Sequence, residues 1–170
     1  MKIPLSDWVN AAVKWLEYYL DPVFQVVTLL IGSIVNSFEW FFTITPSFIF
    51  MIIAAIFAFW LGRWPIAVFT ALGLLLIDNL GYWEQTMETL ALVVTSALIS
   101  VVIGIPVGIL CARHDNVRNI VTPVLDFMQT MPAFVYLIPA VTFFGLGVVP
   151  GVIASVIFAI PPTIRLTNLG

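Results

Sequence analysis

The feature that most constrains this chain is a long uncharged stretch, rich in proline, between Asp126 and Arg165. Its 38 residues contain no Asp, Glu, Lys or Arg, but they include five prolines and three glycines. A run of that length could cross a bilayer twice, at about 20 residues per crossing. Prolines at this density would disrupt a soluble helix bundle, whereas in a membrane neighbouring helices or a water-filled path satisfy the freed backbone groups. The pattern therefore predicts an irregular, membrane-embedded segment of the kind that lines a transport pathway.

Composition supports a membrane location for the whole chain. Of its 170 residues 62% are hydrophobic and only 9% are charged, whereas soluble domains have about 25% charged residues. We therefore expect an all-α integral membrane protein whose surroundings are membrane lipid. No basic run suggests nucleic acid as a partner. The single cysteine, Cys111, lies in an apolar run, which predicts a buried structural thiol.

The N-terminal segment, 1–45, is predicted to lie in the membrane interface. Residues 5–20 show the spacing of an amphipathic helix, Asp21-Pro22 predicts a helix break, and residues 23–44 form a second amphipathic stripe. Helices of this kind lie in the interfacial plane with one face in the lipid. The alternative is that 23–44 forms a spanning helix.

About five spanning helices are predicted after this segment. The two accessory transmembrane helices of segment 46–85 come first, and the segment 86–170 supplies the rest. A turn at Gly145–Gly151 separates the last two helices, because glycine and proline cluster there. The predicted spans are 46–62, 65–81, 87–112, a fourth near 131–145 and a fifth near 149–165.

Basic residues predict the orientation, since cytoplasmic loops carry an excess of Lys and Arg. With five spans, the places that carry arginine all lie on one side, and the N-terminal segment with Lys2 and Lys14 lies on the other. The N-terminus is therefore expected outside and the C-terminus in the cytoplasm. If 23–44 spans, the N-terminus starts in the cytoplasm and the later loops are unchanged. The predicted cytoplasmic loop residues are Arg63, Arg113, Arg118 and Arg165.

Two groups of residues are candidates for shaping the pathway. Small residues at Gly104 and Gly108 allow a close approach by another helix, and prolines introduce bends. The bending prolines are Pro106, Pro132 and Pro139. Aromatic rings in the proline-bent segment can hold a quaternary ammonium ion by cation–π attraction, although most of the 14 phenylalanines must pack or face lipid. The candidate pathway aromatics are Phe134, Tyr136, Phe143 and Phe144.

No pattern of enzyme chemistry is visible. The chain has no glycine-rich phosphate loop with its lysine, no metal-ligating cluster, and no nucleophile with a plausible base. His114 is expected to be a solvated loop residue, because it has no second ligand nearby. Asp126 is expected to be a helix cap or a partner of Arg118 as readily as a functional acid. The chain is therefore not expected to be an enzyme, and any energy source must come from a partner.

Two stretches resemble a known family. The run TPVLDFMQTMPAFVYLIPAVTFFGLGVVPGVIASVIFAIPPTIRLTNLG is similar to the permease subunit of the glycine betaine/proline ABC importers, which carry quaternary amines. The preceding TLALVVTSALISVVIGIPVGILCAR resembles the first core helix of the same domain. Together they cover residues 86–170, and the N-terminal segment resembles the less uniform leader of such permeases.

The resemblance implies a type I ABC importer fold in a bacterial cytoplasmic (inner) membrane. It also implies a second permease subunit, two cytoplasmic ATPase subunits that bind ATP-Mg, and an extracytoplasmic substrate-binding protein. No cofactor is expected in this chain itself. The implied cargo is a compatible solute such as glycine betaine, proline betaine or choline, taken up for osmoprotection.

One departure from the family pattern keeps an alternative open. Permeases of this family continue into a cytoplasmic coupling loop and further spans, and this sequence ends at Gly170. The expectation is therefore a truncated permease without its coupling loop. The alternative is a small non-transporting membrane scaffold or a permease remnant.

Overall fold

The computed structural model describes residues 5–170, and the regular structure in that part of the chain is entirely helical. Short linkers join six helices, so the predicted all-α class is confirmed. Lys2, which the orientation argument used, lies outside the described residues. The helices are α1 Leu5–Ile44, α2 Ser47–Asn79, α3 Trp83–Arg113, α4 Asp115–Thr130, α5 Ala133–Phe144 and α6 Val148–Leu169.

Helix α1 continues through Pro22, so the predicted break at Asp21-Pro22 is wrong. A proline inside a helix loses one backbone hydrogen bond and costs about 3 kcal/mol. Two new helix ends in an apolar environment would leave up to four carbonyls and four N–H groups without intrahelical partners. Continuing the helix through Pro22 therefore leaves fewer backbone groups unpaired than breaking it there. The Gln25 amide nitrogen also donates to Asp21 Oδ2 at 2.7 Å across this turn.

Four helical segments are long and apolar enough to cross a membrane, as judged by length and composition: Val13–Ile44, Ser47–Asn79, Trp83–Arg113 and Val148–Leu169. A fifth crossing is formed if α4 and α5 count as one bent span. The first of these segments includes 23–44, so the spanning alternative for the N-terminal region also meets these criteria. The expectation of about five spans agrees with this count.

Helix α2 occupies the region where two separate spans were predicted. Arg63 is its one residue outside helical backbone geometry (φ 62°, ψ −166°), and two helical segments meet there at a kink. Each segment is about 24 Å long at 1.5 Å per residue. Pro65 lies in the first turn of the second segment, where its missing N–H costs nothing. The predicted boundary coincides with the kink, but no loop separates the two halves.

The predicted fourth span, 131–145, is divided differently in the structure. Helix α5 has 12 residues, about 18 Å, which is too short for a hydrocarbon core of about 30 Å. Its axis makes an angle of 98° with that of α4 across the extended residues Met131 and Pro132. The Met131-Pro132 pair therefore redirects the chain at the start of the region predicted as the fourth span, and α4 with α5 makes a crossing only as one bent span.

Backbone contacts divide the described chain into two compact units. One contains 5–33 and 96–170, and its core is the cluster of Cys111, Leu125 and Ile164 from α3, α4 and α6. Cys111 is buried, which confirms the expectation of a structural thiol.

The other unit contains 34–95. Val35, Met87 and Ala91 are buried in it. Phe50 contacts both Phe42 and Trp83 with ring centroids 6.0 and 5.6 Å apart.

Candidate functional site

Helices α3 and α6 approach each other closely where α3 carries glycine. A β-carbon added to Gly104 would lie 2.7 Å from Thr163 Cγ2, and one added to Gly108 would lie 2.5 Å from Thr167 Cβ. Any side chain at these positions would force the helices apart. Gly108 also faces the backbone oxygen of Ile164, at 2.9 Å from its added β-carbon. The two glycines and these α6 residues form the contact that we call the α3–α6 seam.

Hydroxyl groups extend the α3–α6 seam along α3, and the motif analysis missed them. The buried Ser96 hydroxyl donates to the carbonyl oxygen of Val152 at 3.5 Å, and Ser100 donates to Ser96 O at 2.7 Å. Small hydroxyl residues are common between packed membrane helices, where they form hydrogen bonds and allow close contact. Three hydroxyl residues in TSALIS, inside the apolar part of α3, were the available signal.

The three predicted bending prolines differ in how much they change the direction of the backbone. Helix α3 remains continuous at Pro106, and α5 remains continuous at Pro139. Pro132 caps α5 with extended geometry (φ −58°, ψ 141°), at the 98° change of direction. The chain bends most clearly at Pro132, because a residue before a proline is itself disfavoured in helical geometry.

The four candidate aromatics do not form one group. Phe134 is 78% exposed, and the Tyr136 hydroxyl donates to Met128 O at 3.0 Å, which links α5 to α4. Phe143 and Phe144 lie at the other end of α5, against Phe24 of α1. The centroid distances from Phe24 are 5.0 Å to Phe143, nearly parallel, and 5.1 Å to Phe144, edge to face.

A groove of about 380 Å³ opens beside this aromatic cluster. We call it the α1–α5 groove, and it is lined by Asp21, Phe24, Gln25, Thr28, Leu29, Phe143 and Phe144. Sequence reasoning missed the α1 residues, because a helix break was predicted at Asp21-Pro22. In a continuous helix the spacing i, i+3, i+4 and i+7 places Asp21, Phe24, Gln25 and Thr28 on one face.

The arginines lie in helices or at helix ends, and their cytoplasmic placement stays a prediction. Arg63 lies at the kink of α2, and Arg113 is the last residue of α3. Arg118 pairs with Asp115 within α4 at 2.8 Å, whereas Arg165 of α6 pairs with Asp126 of α4. The linker between α3 and α4 is the single residue His114.

Asp126 does not pair with Arg118, which was one of the roles left open for it. Its carboxylate accepts from Arg165, 39 residues away, instead of from Arg118. Arg118 already pairs with Asp115, its neighbour one helical turn earlier. His114 precedes the first residue of α4 and is exposed, as expected of a solvated residue. Among the described residues no group of three or more His, Cys, Asp and Glu side chains is placed to hold a metal ion.

Comparison with known proteins finds a matching family model and several similar proteins. Residues 104–170 match the family model of the binding-protein-dependent transport system inner membrane component. The chain is 52% identical over 172 residues to the glycine betaine/carnitine transport permease protein GbuB of Listeria monocytogenes. It is 50% identical over 169 residues to the glycine betaine transport system permease protein OpuAB of Bacillus subtilis. It is 44% identical over 168 residues to the glycine betaine/proline betaine transport system permease protein ProW of Escherichia coli.

These alignments cover 99% of this chain but only 61%, 60% and 48% of the three relatives. The chain therefore spans about half to three-fifths of the length of the curated relatives it matches. All three are transport permease proteins, which favours the permease interpretation over the scaffold alternative. The resemblance drawn from the motifs is confirmed, and its family match includes Gly104, Gly108 and all of α4 to α6. Over residues 104–170 the chain belongs to the family of inner membrane components of binding-protein-dependent transport systems.

Proposed function

We propose that this chain forms part of the permease of an ATP-driven importer for glycine betaine and related quaternary amine solutes. The observation that carries the proposal is the 52% identity to a glycine betaine/carnitine permease over 99% of the chain. The α3–α6 seam adds physical support, because tightly packed helices beside short, bent ones suit a path that opens and closes. The aromatic residues of α5 are also compatible with this cargo, because ring faces attract quaternary ammonium ions.

In the proposed assembly this chain supplies membrane helices and no ATP chemistry. A second permease subunit would complete the path, and two cytoplasmic ATPase subunits would bind ATP-Mg. An extracytoplasmic binding protein would deliver the solute. ATP binding would draw the ATPases together and turn the permease from inward- to outward-facing, and hydrolysis would reset it. The ligand must favour one of these states over the other for such a cycle to be coupled.

The proposed orientation places the linker 145–147 outside and Arg165 in the cytoplasm. Contacts of α1 support an external position for its first half. Phe24 contacts the end of α5, and the β-carbon position of Gly32 lies 3.9 Å from Val149 Cγ2 at the start of α6. These contacts are about 12 Å apart along α1, and their partners lie on either side of one short linker. Both contacts bring this part of α1 close to the linker 145–147, which is external in the proposed orientation.

Accessibility of single cysteines tests this orientation in intact cells. Leu146 is 93% exposed, so Leu146→Cys should react with a membrane-impermeant maleimide added outside. Asn116→Cys in α4 should react only after the membrane is opened. The native Cys111 is buried and provides the unlabelled background. The reverse pattern, with Asn116→Cys labelled from outside, would overturn the orientation.

Uptake by the complete system tests the proposed function itself. The full-length permease, its ATPase and its binding protein would be reconstituted in vesicles, and uptake of radiolabelled glycine betaine measured. Uptake that requires internal ATP and is competed by proline betaine is the expected result. A system that assembles and hydrolyses ATP, but accumulates no glycine betaine or other quaternary amine, would contradict the proposal.

A further inference from the structure

We propose that the α1–α5 groove is a binding site for a quaternary ammonium group. The inference rests on the proposed function for its physiological ligand, but its geometry is independent of it. The groove combines three phenylalanine rings with one carboxylate, that of Asp21. Its volume of about 380 Å³ is within the usual range for small-molecule sites, about 300–1,000 Å³.

The aromatic wall suits a cation that carries methyl groups. Phe24 is the central ring, with Phe143 nearly parallel to it and Phe144 edge to face. Each of the three side chains is partly exposed, so ring surface remains available to a ligand. Ring faces attract cations through their quadrupole, and a quaternary ammonium ion loses little hydration on making this contact.

The charge of the groove also favours a cation. Asp21 is exposed at one end of the groove, and its Oδ2 is held by the Gln25 amide at 2.7 Å. Within the described part of the chain, no Lys or Arg lines the groove. Its only charge is therefore negative, and the Gln25 bond orients the carboxylate. An anion would find no counter-charge there, whereas a quaternary ammonium group would find both rings and a carboxylate.

The position of the groove suits a site that the solute reaches first after the binding protein releases it. Phe143 and Phe144 are the last two residues of α5, immediately before the linker 145–147. In the proposed orientation this linker faces the binding protein. The ammonium could belong to the transported solute or to a choline lipid headgroup, and both present the same trimethylated nitrogen.

Binding of choline to the full-length permease–ATPase complex tests the site. The complex would be placed in nanodiscs of phosphatidylethanolamine and phosphatidylglycerol, and choline titrated by saturation-transfer NMR. We expect Asp21→Asn and Phe24→Leu each to weaken choline binding about fivefold, as loss of one exposed cation contact implies. Asp21→Asn keeps the acceptor for Gln25, and Asp21 is exposed, so the complex should assemble normally.

Matched controls separate binding from packing. Glu17→Gln removes a carboxylate one turn away that does not line the groove, and Phe48→Leu removes a ring that is 62% exposed on α2. Neither should change the affinity for choline. The neutral isostere 3,3-dimethylbutan-1-ol should bind wild type more weakly than choline and should be insensitive to Asp21→Asn. Equal losses for choline and the isostere, or no choline binding to wild type, would overturn the site.

Two further arms identify the source of the ammonium group. If the solute uses the groove, Asp21→Asn lowers glycine betaine uptake in vesicles without choline lipids and leaves the binding protein's affinity unchanged. If a lipid headgroup uses it, that uptake is unchanged, and adding phosphatidylcholine weakens choline binding to wild type alone. Wild type that transports betaine but binds no choline would refute the groove and leave the proposed function standing. Choline binding without any betaine uptake would support the groove and contradict the proposed function.

Discussion

The α3–α6 seam and helix α2 are both apolar, but the seam is closely packed and α2 is largely exposed. At the seam, glycines bring two backbones together, and buried residues such as Ile164 and Val152 fill the contact. Helix α2 lies between α6 and α3 in mean hydropathy, yet Ala58 and Ala67 are its buried residues within the described chain. Most of its large side chains, Phe57 and Trp60 among them, are exposed.

The difference shows that hydrophobicity does not distinguish contact from lipid exposure inside a bilayer. Lipid tails are as apolar as leucine, so helices associate through close packing and hydrogen bonds instead. Small residues and hydroxyls mark the seam, whereas large apolar residues mark surface left for lipid or a partner subunit. Substitutions that add or remove one atom group should therefore have large effects at the seam and small ones on α2.

The largest expected contrast is between two glycine-to-alanine substitutions. Gly108→Ala places a β-carbon 2.9 Å from the Ile164 carbonyl oxygen, whereas at Gly73 of α2 nothing lies within 4 Å. We expect Gly108→Ala to lower the free energy of unfolding by about 1–3 kcal/mol through overpacking. Gly73→Ala should be neutral or stabilising by up to about 1 kcal/mol, because alanine favours helix. Reversible unfolding in SDS-containing mixed micelles would measure both, and equal effects would remove the distinction between the two regions.

A second contrast concerns backbone strain within α2. Arg63 has φ 62° and ψ −166°, a region that is essentially restricted to glycine and costs about 1–3 kcal/mol for other residues. Arg63→Gly should therefore be more stable than Arg63→Ala by about 1–3 kcal/mol. Both variants lose the guanidinium, so their difference isolates the β-carbon. If alanine is as stable as glycine at this position, the kink is not strained.

Local patterns predicted the seam and the helix ends better than they predicted distant partners. The spacing of Gly104 and Gly108 indicated a close approach, and the glycines at 145 and 147 marked the linker, where they adopt φ values of 78° and 144°. These features depend on residues within a few positions of each other. The sequence could not reveal that α1 continues through Pro22, because that outcome depends on the cost of opening helix ends in a membrane.

Long-range pairings were also outside the reach of the pattern. Phe24 contacts Phe143 across more than a hundred residues, and a chain with 14 phenylalanines offers many alternative pairs. Asp126 had a nearby arginine on its own helix, and the structure pairs it with Arg165 instead. Only the fold decides between such partners, so two of the three rings of the aromatic wall were identified and its carboxylate was missed.

The smallest expected effect tests whether the ion pair between α4 and α6 helps to hold these two helices together. Side chains of Asp126 and Arg165 are 60% and 40% exposed, so water screens them. A double-mutant cycle with Asp126→Ala and Arg165→Met should give a coupling of about 0.2–1 kcal/mol at low salt. High salt should reduce it, because exposed charges are screened within about 10 Å at 0.1 M.

The pair Asp115–Arg118 provides the internal comparison, since it joins residues three apart on one helix. Its coupling should be about 0.3–0.5 kcal/mol, the usual value for a pair along a helix. The Asp126–Arg165 pair connects separate helices, so its loss should also increase the protease sensitivity of α4, whereas loss of the local pair should not. Coupling in both pairs with no change in protease sensitivity would mean that packing, and not the Asp126–Arg165 ion pair, holds α4 on α6.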